Sequence, residues 1–174
     1  LPPQRDRLEA IKAALLSPTQ ALFTPSNESE ELAKTYLQAM IAQKEGNKKL
    51  ACALFSELTE RKSLAIKDAA LVHSLAVCDF SKRELINLWK EAALSQYLNE
   101  AYFEISRNLA AEKKLLTYEA EFSFALIRFK KTQKEKVNLI NRSVLIAEEL
   151  NDREKLALYT QKRQEISPQY ITEI

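Results

Sequence analysis

A single glycine, Gly46, interrupts 174 residues. At an average usage of about 7% a chain this long would carry roughly twelve. Glycine costs ~1 kcal/mol in a helix interior and is required mainly where φ is positive. A chain almost without it is therefore expected to be helical nearly throughout, with Gly46 at a place where the backbone must turn left-handed. Prolines fall at positions 2, 3, 18, 25 and 168, which leaves about 140 residues free of a helix breaker. Neither sustained period-two alternation nor hairpin dipeptides occur, so no strand longer than a few residues is expected.

Helix-start signals agree. Asn27 with Glu30, Ser81 with Glu84, Thr132 with Glu135 and Asn151 with Glu154 each set a capping side chain three residues before a carboxylate that can reach back. Leu8, Ile11 and Leu15 mark a first helix, and SPTQALFTPSN reads as a linker before Asn27. The second helix has two apolar stripes, Leu32, Tyr36, Ala39 and Met40 on one and Leu37 and Ile41 on the other, so it must be covered on two sides. It ends at Gly46, after which Asn47 can cap a third helix with a seam of Leu50, Leu54, Phe55 and Leu58. A fourth, near 63–78, is apolar almost all round and should be the most buried. From Ser81 the seam Leu85, Leu88, Trp89, Ala92 changes phase at Leu94, which places a break near Ser95. One long helix through Leu115, Tyr118, Phe122 and Phe129 to Lys131, another through Val137 to Leu150 and a last one through Tyr159 to Ile166 bring the number to about nine. The expected organisation is an N-terminal helix and linker over 1–26, a helical domain over 27–166 and a tail over 167–174.

Composition narrows the function. An apolar fraction of 46% with 29% charged residues describes a chain able to bury a core. A net charge of +2, from 26 basic and 24 acidic residues, gives no electrostatic footprint for nucleic acid or anionic lipid. No apolar run approaches the ~20 residues of a membrane span. The opening LPPQRDRL, without Met or an apolar segment, is expected of a trimmed N-terminus, so the compartment, periplasm or cytoplasm, is not legible. Cys52 and Cys78 are too few for a disulfide scaffold and too far apart for a zinc knuckle, and are read as buried free thiols.

A shift of 34 residues organises the middle of the chain. It carries Leu37 onto Leu71, Ile41 onto Leu75, Ala42 onto Ala76, Asn47 onto Ser81, Leu54 onto Leu88 and Phe55 onto Trp89. A second shift keeps Leu71 on Ile105, Leu75 on Leu109 and Ala76 on Ala110 but puts Glu119 where Leu85 stood and Ser123 where Trp89 stood. The period decays. In Ala39, Ala42, Gly46, Ala51 and Phe55 the sequence resembles the tetratricopeptide repeat family, whose unit is an antiparallel helix pair with small residues at the crossing and an aromatic in the second helix. The next unit, Ala76, Leu85, Trp89 and Ala92, carries His73 where that family takes glycine or alanine, and IAEELNDREKLALY looks like an inter-helix turn of the same type. The resemblance covers roughly residues 28–166 and implies an all-α superhelix of stacked pairs with a groove. It further implies that first helices line the groove, with Tyr36, Met40, Gln43 and Lys44, then Lys67, Ala70, Ser74 and Val77, on the binding surface. Tyr36 and Met40 would supply apolar contact and the lysines would hold carboxylates or carbonyls. Packing between neighbouring repeats is the plain reading of Tyr36 and Met40, and solvated charge that of the lysines.

No convergent catalytic set stands out. His73, the only histidine, lies in the most apolar segment and reads as a packing residue. There is no glycine-rich phosphate loop, HExxH, paired CxxC or GxSxG. Glu119 with Glu121 and Glu148 with Glu149 do not share a helical face and read as surface. Arg128, Lys130, Lys131, Lys134 and Lys136 could grip an acidic peptide or a phosphate backbone but read as a basic loop that complements a helix C-terminus. The expectation is a non-enzymatic scaffold that needs no metal or cofactor and binds a protein or peptide, without nucleic acid or membrane insertion. The alternative is a helical accessory domain of a larger enzyme, as in periplasmic lytic transglycosylases, which the ends LPPQRDRL and SPQYITEI would suit as those of a fragment.

Overall fold

A computed structural model describes residues 24–60, 64–93 and 98–168. Among them the fold is all-α. Its eight helices are α1 (Glu28–Lys44), α2 (Lys48–Thr59), α3 (Leu64–Val77), α4 (Lys82–Ala92), α5 (Glu100–Glu112), α6 (Leu116–Leu126), α7 (Gln133–Glu149) and α8 (Arg153–Ile166), with one 3-10 turn, Ile127–Phe129, between α6 and α7. The helix expected over Leu8 to Leu15 and the break near Ser95 lie outside the described residues. No helix among the described residues is long and apolar enough to cross a membrane.

Local chemistry sets the helix starts. Asn27, Asn47, Ser81, Asn99 and Thr132 each accept a hydrogen bond from the backbone N–H three residues on, and at Ser81 the Glu84 carboxylate returns the bond to complete a capping box. The fourth expected cap moves by one residue. Asp152, not Asn151, caps α8 by accepting from the Lys155 N–H, because Asn151 is taken up by the preceding turn at φ 53°.

Three reversals share one hydrogen-bond pattern. At the end of α1, Gly46 takes φ +80°, its N–H bonds to Gln43 O at 3.1 Å and the Asn47 N–H reaches back to Ala42 O at 2.9 Å. The α5 end repeats this with Lys114 at φ 58°, Lys114 N–H to Ala111 O at 3.1 Å and Leu115 N–H to Ala110 O at 2.8 Å. The α7 end repeats it again through Asn151, with Asp152 N–H to Ala147 O at 3.0 Å. This paired bonding around one left-handed residue is the Schellman closure, which satisfies carbonyls the helix end leaves open. In each case the deepest acceptor belongs to a buried alanine, Ala42, Ala110 or Ala147. A methyl side chain there lets the returning helix come close. A Cβ on Gly46 would meet nothing within 4 Å, so glycine serves the torsion there and not the space.

Between α3 and α4 the pattern is absent. One period past Gly46 stands Phe80, without a positive φ, and Ala76, the register equivalent of Ala42, is exposed. The chain divides at this point into two compact units, Leu1–Phe80 and Ser81–Ile174. In the first, α2 packs on both α1 and α3, with Leu32, Ala39, Ala42, Ala51, Phe55, Leu58 and Ala70 at its core. In the second, α5 to α8 pack each on the next. Within unit 2, Trp89 donates its indole N–H to Ser106 at 3.1 Å and meets the rings of Tyr118 and Phe122 at 5.2 and 5.0 Å.

Three further expectations are corrected. Cys52 and Cys78 are not free thiols; they form a disulfide with Cα atoms 5.0 Å apart. Separation along the chain was a poor guide, since the α2–α3 reversal returns the end of α3 to the side of α2. For its length the most buried helix is α6, with five buried side chains in 11 residues, whereas α3 has four among those described, Ala70, Leu71, Ser74 and Leu75. The long helix expected to reach Lys131 stops at Leu126. Beyond it, Phe129 turns in against Phe103 at 5.8 Å with the Arg128 guanidinium over both rings.

Two stability tests follow from these contacts. The bridge spans 26 residues, and on the chain-entropy relation its replacement by two alanines should cost unit 1 about 3–4 kcal/mol. A thermal melt of Cys52→Ala, Cys78→Ala should show the loss in far-UV circular dichroism, and reductant should then have no further effect. At the α5 reversal, a left-handed residue other than glycine costs ~1–2 kcal/mol. Since glycine gives back ~0.4–1 kcal/mol through the unfolded chain, Lys114→Gly should stabilise unit 2 by about 0.5–1 kcal/mol. Urea unfolding followed by Trp89 emission measures it, and a destabilised variant would contradict the reading of the turn.

Candidate functional site

The residues expected to line a groove fall in unit 1. Lys44 on α1 and Lys67 on α3 are exposed, and Gln43 is half-buried. Tyr36 and Met40 are half-buried and pack against the core cluster of α1, α2 and Ala70. Tyr36 meets the rings of Phe55 at 5.9 Å and His73 at 5.8 Å, both edge-on, while His73 lies flat on Phe55 at 4.8 Å. Burial raises the Tyr36 phenol above its ordinary pKa and lowers that of His73, so the imidazole is held neutral as a packing ring. Ser74 is only 2% exposed, and its hydroxyl donates to the Leu71 carbonyl at 2.9 Å. Its hydroxyl is thus used within α3.

A polar cleft lies in unit 2, where no site residue was expected. It is about 360 Å³, with α5 contributing Glu104, Arg107 and Asn108 to one wall, α7 contributing Glu135, Asn138 and Arg142 to the other, and Glu119 and Ser123 of α6 between them. Glu119 is buried to 5% exposure and receives two hydrogen bonds from the Arg142 guanidinium, at 2.5 and 3.1 Å. This pairing raises the Arg142 pKa further above its ordinary value. Glu119 was read from the sequence as a surface carboxylate, on the ground that it shares no face with Glu121. The partner that lets it go inside is 23 residues away, on the next helix. One signal was available: the second 34-residue shift puts Glu119 on Leu85 and Ser123 on Trp89, both core positions.

Neighbouring charges are tied up within the fold. Lys130 reaches Glu100 at 2.8 Å and Glu104 at 2.7 Å, and these bonds push its pKa up to about 12. With Arg128, itself exposed, laid over two rings, two members of the basic run make contacts within unit 2; Lys131 and Lys134 are exposed as well. A second hollow, about 550 Å³, is walled by Trp89, Tyr102, Phe103, Tyr118 and Phe122, the ring cluster that packs α4 on α5 and α6. Burial holds the Tyr102 hydroxyl protonated up to about 12. Among the described residues no group of three or more His, Cys, Asp or Glu is placed to hold a metal ion.

No protein-family model matches the chain, and neither a characterised protein nor a solved structure matches it.

Removing one partner of a buried pair leaves the other charge uncompensated, which costs more than replacing both. Arg142 is 46% exposed, so water screens part of the loss, and Arg142→Met should destabilise unit 2 by about 1–3 kcal/mol. Glu119→Leu combined with Arg142→Met should recover most of that. Urea titration on Trp89 emission distinguishes the two, and equal loss in both would mean the pair matters through packing and not charge.

Proposed function

We propose that the chain is a tetratricopeptide-like, non-enzymatic binding module that holds a segment of another protein along the first helices of its pairs. The observation that carries this reading is the cleft between α5 and α7. Both helices run into a left-handed reversal, as the first helix of a pair would, and the second helix α6 supplies the floor between them. A helix pair cannot bury both its faces, and neighbouring pairs leave side chains of consecutive first helices exposed along one side. Within unit 1, taken by itself, the exposed Lys44 on α1 and Lys67 on α3 suit the same reading. The Cys52–Cys78 bridge favours an oxidising compartment, such as the periplasm or the extracellular space. That setting also suits the second reading, a helical accessory domain of a larger periplasmic enzyme, whose partner would be a segment of its own chain.

The test is site-specific photocrosslinking. Exposed positions on first helices, Lys44 and Asn138, are compared with exposed positions on second helices, Ala53 and Leu158. Adducts to a protein partner are expected from the first pair of positions only. Adducts confined to Ala53 and Leu158 would overturn the assignment, and adducts within a longer form of the same chain would decide for the accessory-domain reading.

A further inference from the structure

The register that relates the helix pairs assigns one position of each second helix to a large ring, Phe55 in α2 and Trp89 in α4. In α6 that position is Ser123. Ser123 is fully buried, and its Oγ has no hydrogen-bond partner among the described residues. The cleft of about 360 Å³ opens beside it, at the place a ring would otherwise fill. Voids walled by apolar groups stay dry, whereas a hollow with an unsatisfied hydroxyl, two amides and several charges favours a polar occupant.

Charge balance selects the occupant. The cleft lining carries three cations, Arg107, Lys130 and Arg142, and three carboxylates, Glu104, Glu119 and Glu135. Lys130 closes on Glu104, Arg142 closes on Glu119, and Glu135 accepts from the Thr132 hydroxyl at the α7 cap. Among the described residues, Arg107, half-buried on α5, is the lining charge that makes no ion pair or hydrogen bond. A guanidinium in that state is matched by a carboxylate, which it can bind through two parallel N–H donors. A cationic occupant would find each lining carboxylate already engaged.

We propose that this cleft binds an acidic side chain, Asp or Glu inside a partner's polypeptide segment, with its carboxylate on Arg107. Asn108 on the α5 wall and Asn138 on the α7 wall then offer amides to the flanking peptide backbone, each able to donate and to accept. The site rests on the reading of α5 and α7 as partner-binding first helices, and it adds the chemistry that the partner must bring.

The test titrates the full chain with a capped pentapeptide, glutamate flanked by two alanines on each side, and with its glutamine counterpart, followed by heteronuclear NMR. The glutamate peptide should shift the Arg107 Nε–H and the Ser123 amide saturably, with a dissociation constant on the order of 1 mM. The glutamine peptide should bind about tenfold more weakly, as loss of one charge-assisted pair implies. Read at the Ser123 amide, Arg107→Gln should abolish the shift and Arg107→Lys should keep part of it, both with unchanged circular dichroism. Equal binding of the two peptides, or shifts that survive Arg107→Gln, would overturn the site. Free glutamate binding as tightly as the capped peptide would also overturn it, in favour of a small carboxylate ligand. A partner crosslinked at Asn138 with no glutamate preference would sink the acidic site and leave the scaffold standing. Glutamate-selective binding with partner adducts only on second helices would do the reverse.

Discussion

One backbone hydrogen bond, from the residue after a left-handed turn to an alanine carbonyl five residues earlier, organises three of the described reversals. It appears at Asn47 to Ala42, Leu115 to Ala110 and Asp152 to Ala147. Each bond removes a buried carbonyl's need for water and fixes the direction in which the next helix departs. With only a methyl group at the acceptor residue, the two helices approach closely enough to bury the rest of the crossing. Phe55 and Leu58 in unit 1, and Phe122 and Leu126 in unit 2, are buried as a consequence. The same bond requires a residue that tolerates positive φ, and the chain meets that need with glycine once, asparagine once and lysine once.

Where the reversal is missing, the chain changes character. Between α3 and α4 neither a left-handed residue nor a buried alanine stands at the register position, and the boundary between the compact units falls there. Unit 1 is held at this end by other means, since Cys78 directly follows α3 and is bonded to Cys52 on α2. A covalent link fixes the last turn of α3 in a unit of three described helices, where a small core alone supplies little stability. Unit 2 has no such link among its described residues and relies on ring packing, with Trp89, Tyr102, Phe103, Tyr118 and Phe122 in mutual contact.

Much of this was legible in the sequence because it is local. One glycine, the capping residues Asn27, Asn47, Ser81 and Thr132 and the helical spacing of apolar residues act within a turn or two, and they place the helices nearly as observed. Asn151 and Asp152 show the limit, since two adjacent capping residues compete and the demand for positive φ decides between them. What the sequence did not disclose depends on contacts between distant segments. Cys52 and Cys78 meet only after α2 and α3 reverse, and Glu119 is read as surface until Arg142 arrives from the next helix. The polar cleft was present in the repeat as an apparent fault, Glu119 and Ser123 standing where leucine and tryptophan belong. A break in periodicity with buried polar replacements signals a hollow as readily as it signals decay.

The cleft and the reversals are linked, because α5 and α7 can wall a common space over α6 only if their ends turn in the same sense. Native-state hydrogen exchange, resolved residue by residue, tests that dependence most directly. The amides of Asn47, Leu115 and Asp152 should be protected to the same degree as the interiors of the helices they close, opening only with the unit to which each belongs. Exchange of those three amides at the rate of an unstructured peptide, while the flanking helices stay protected, would contradict it.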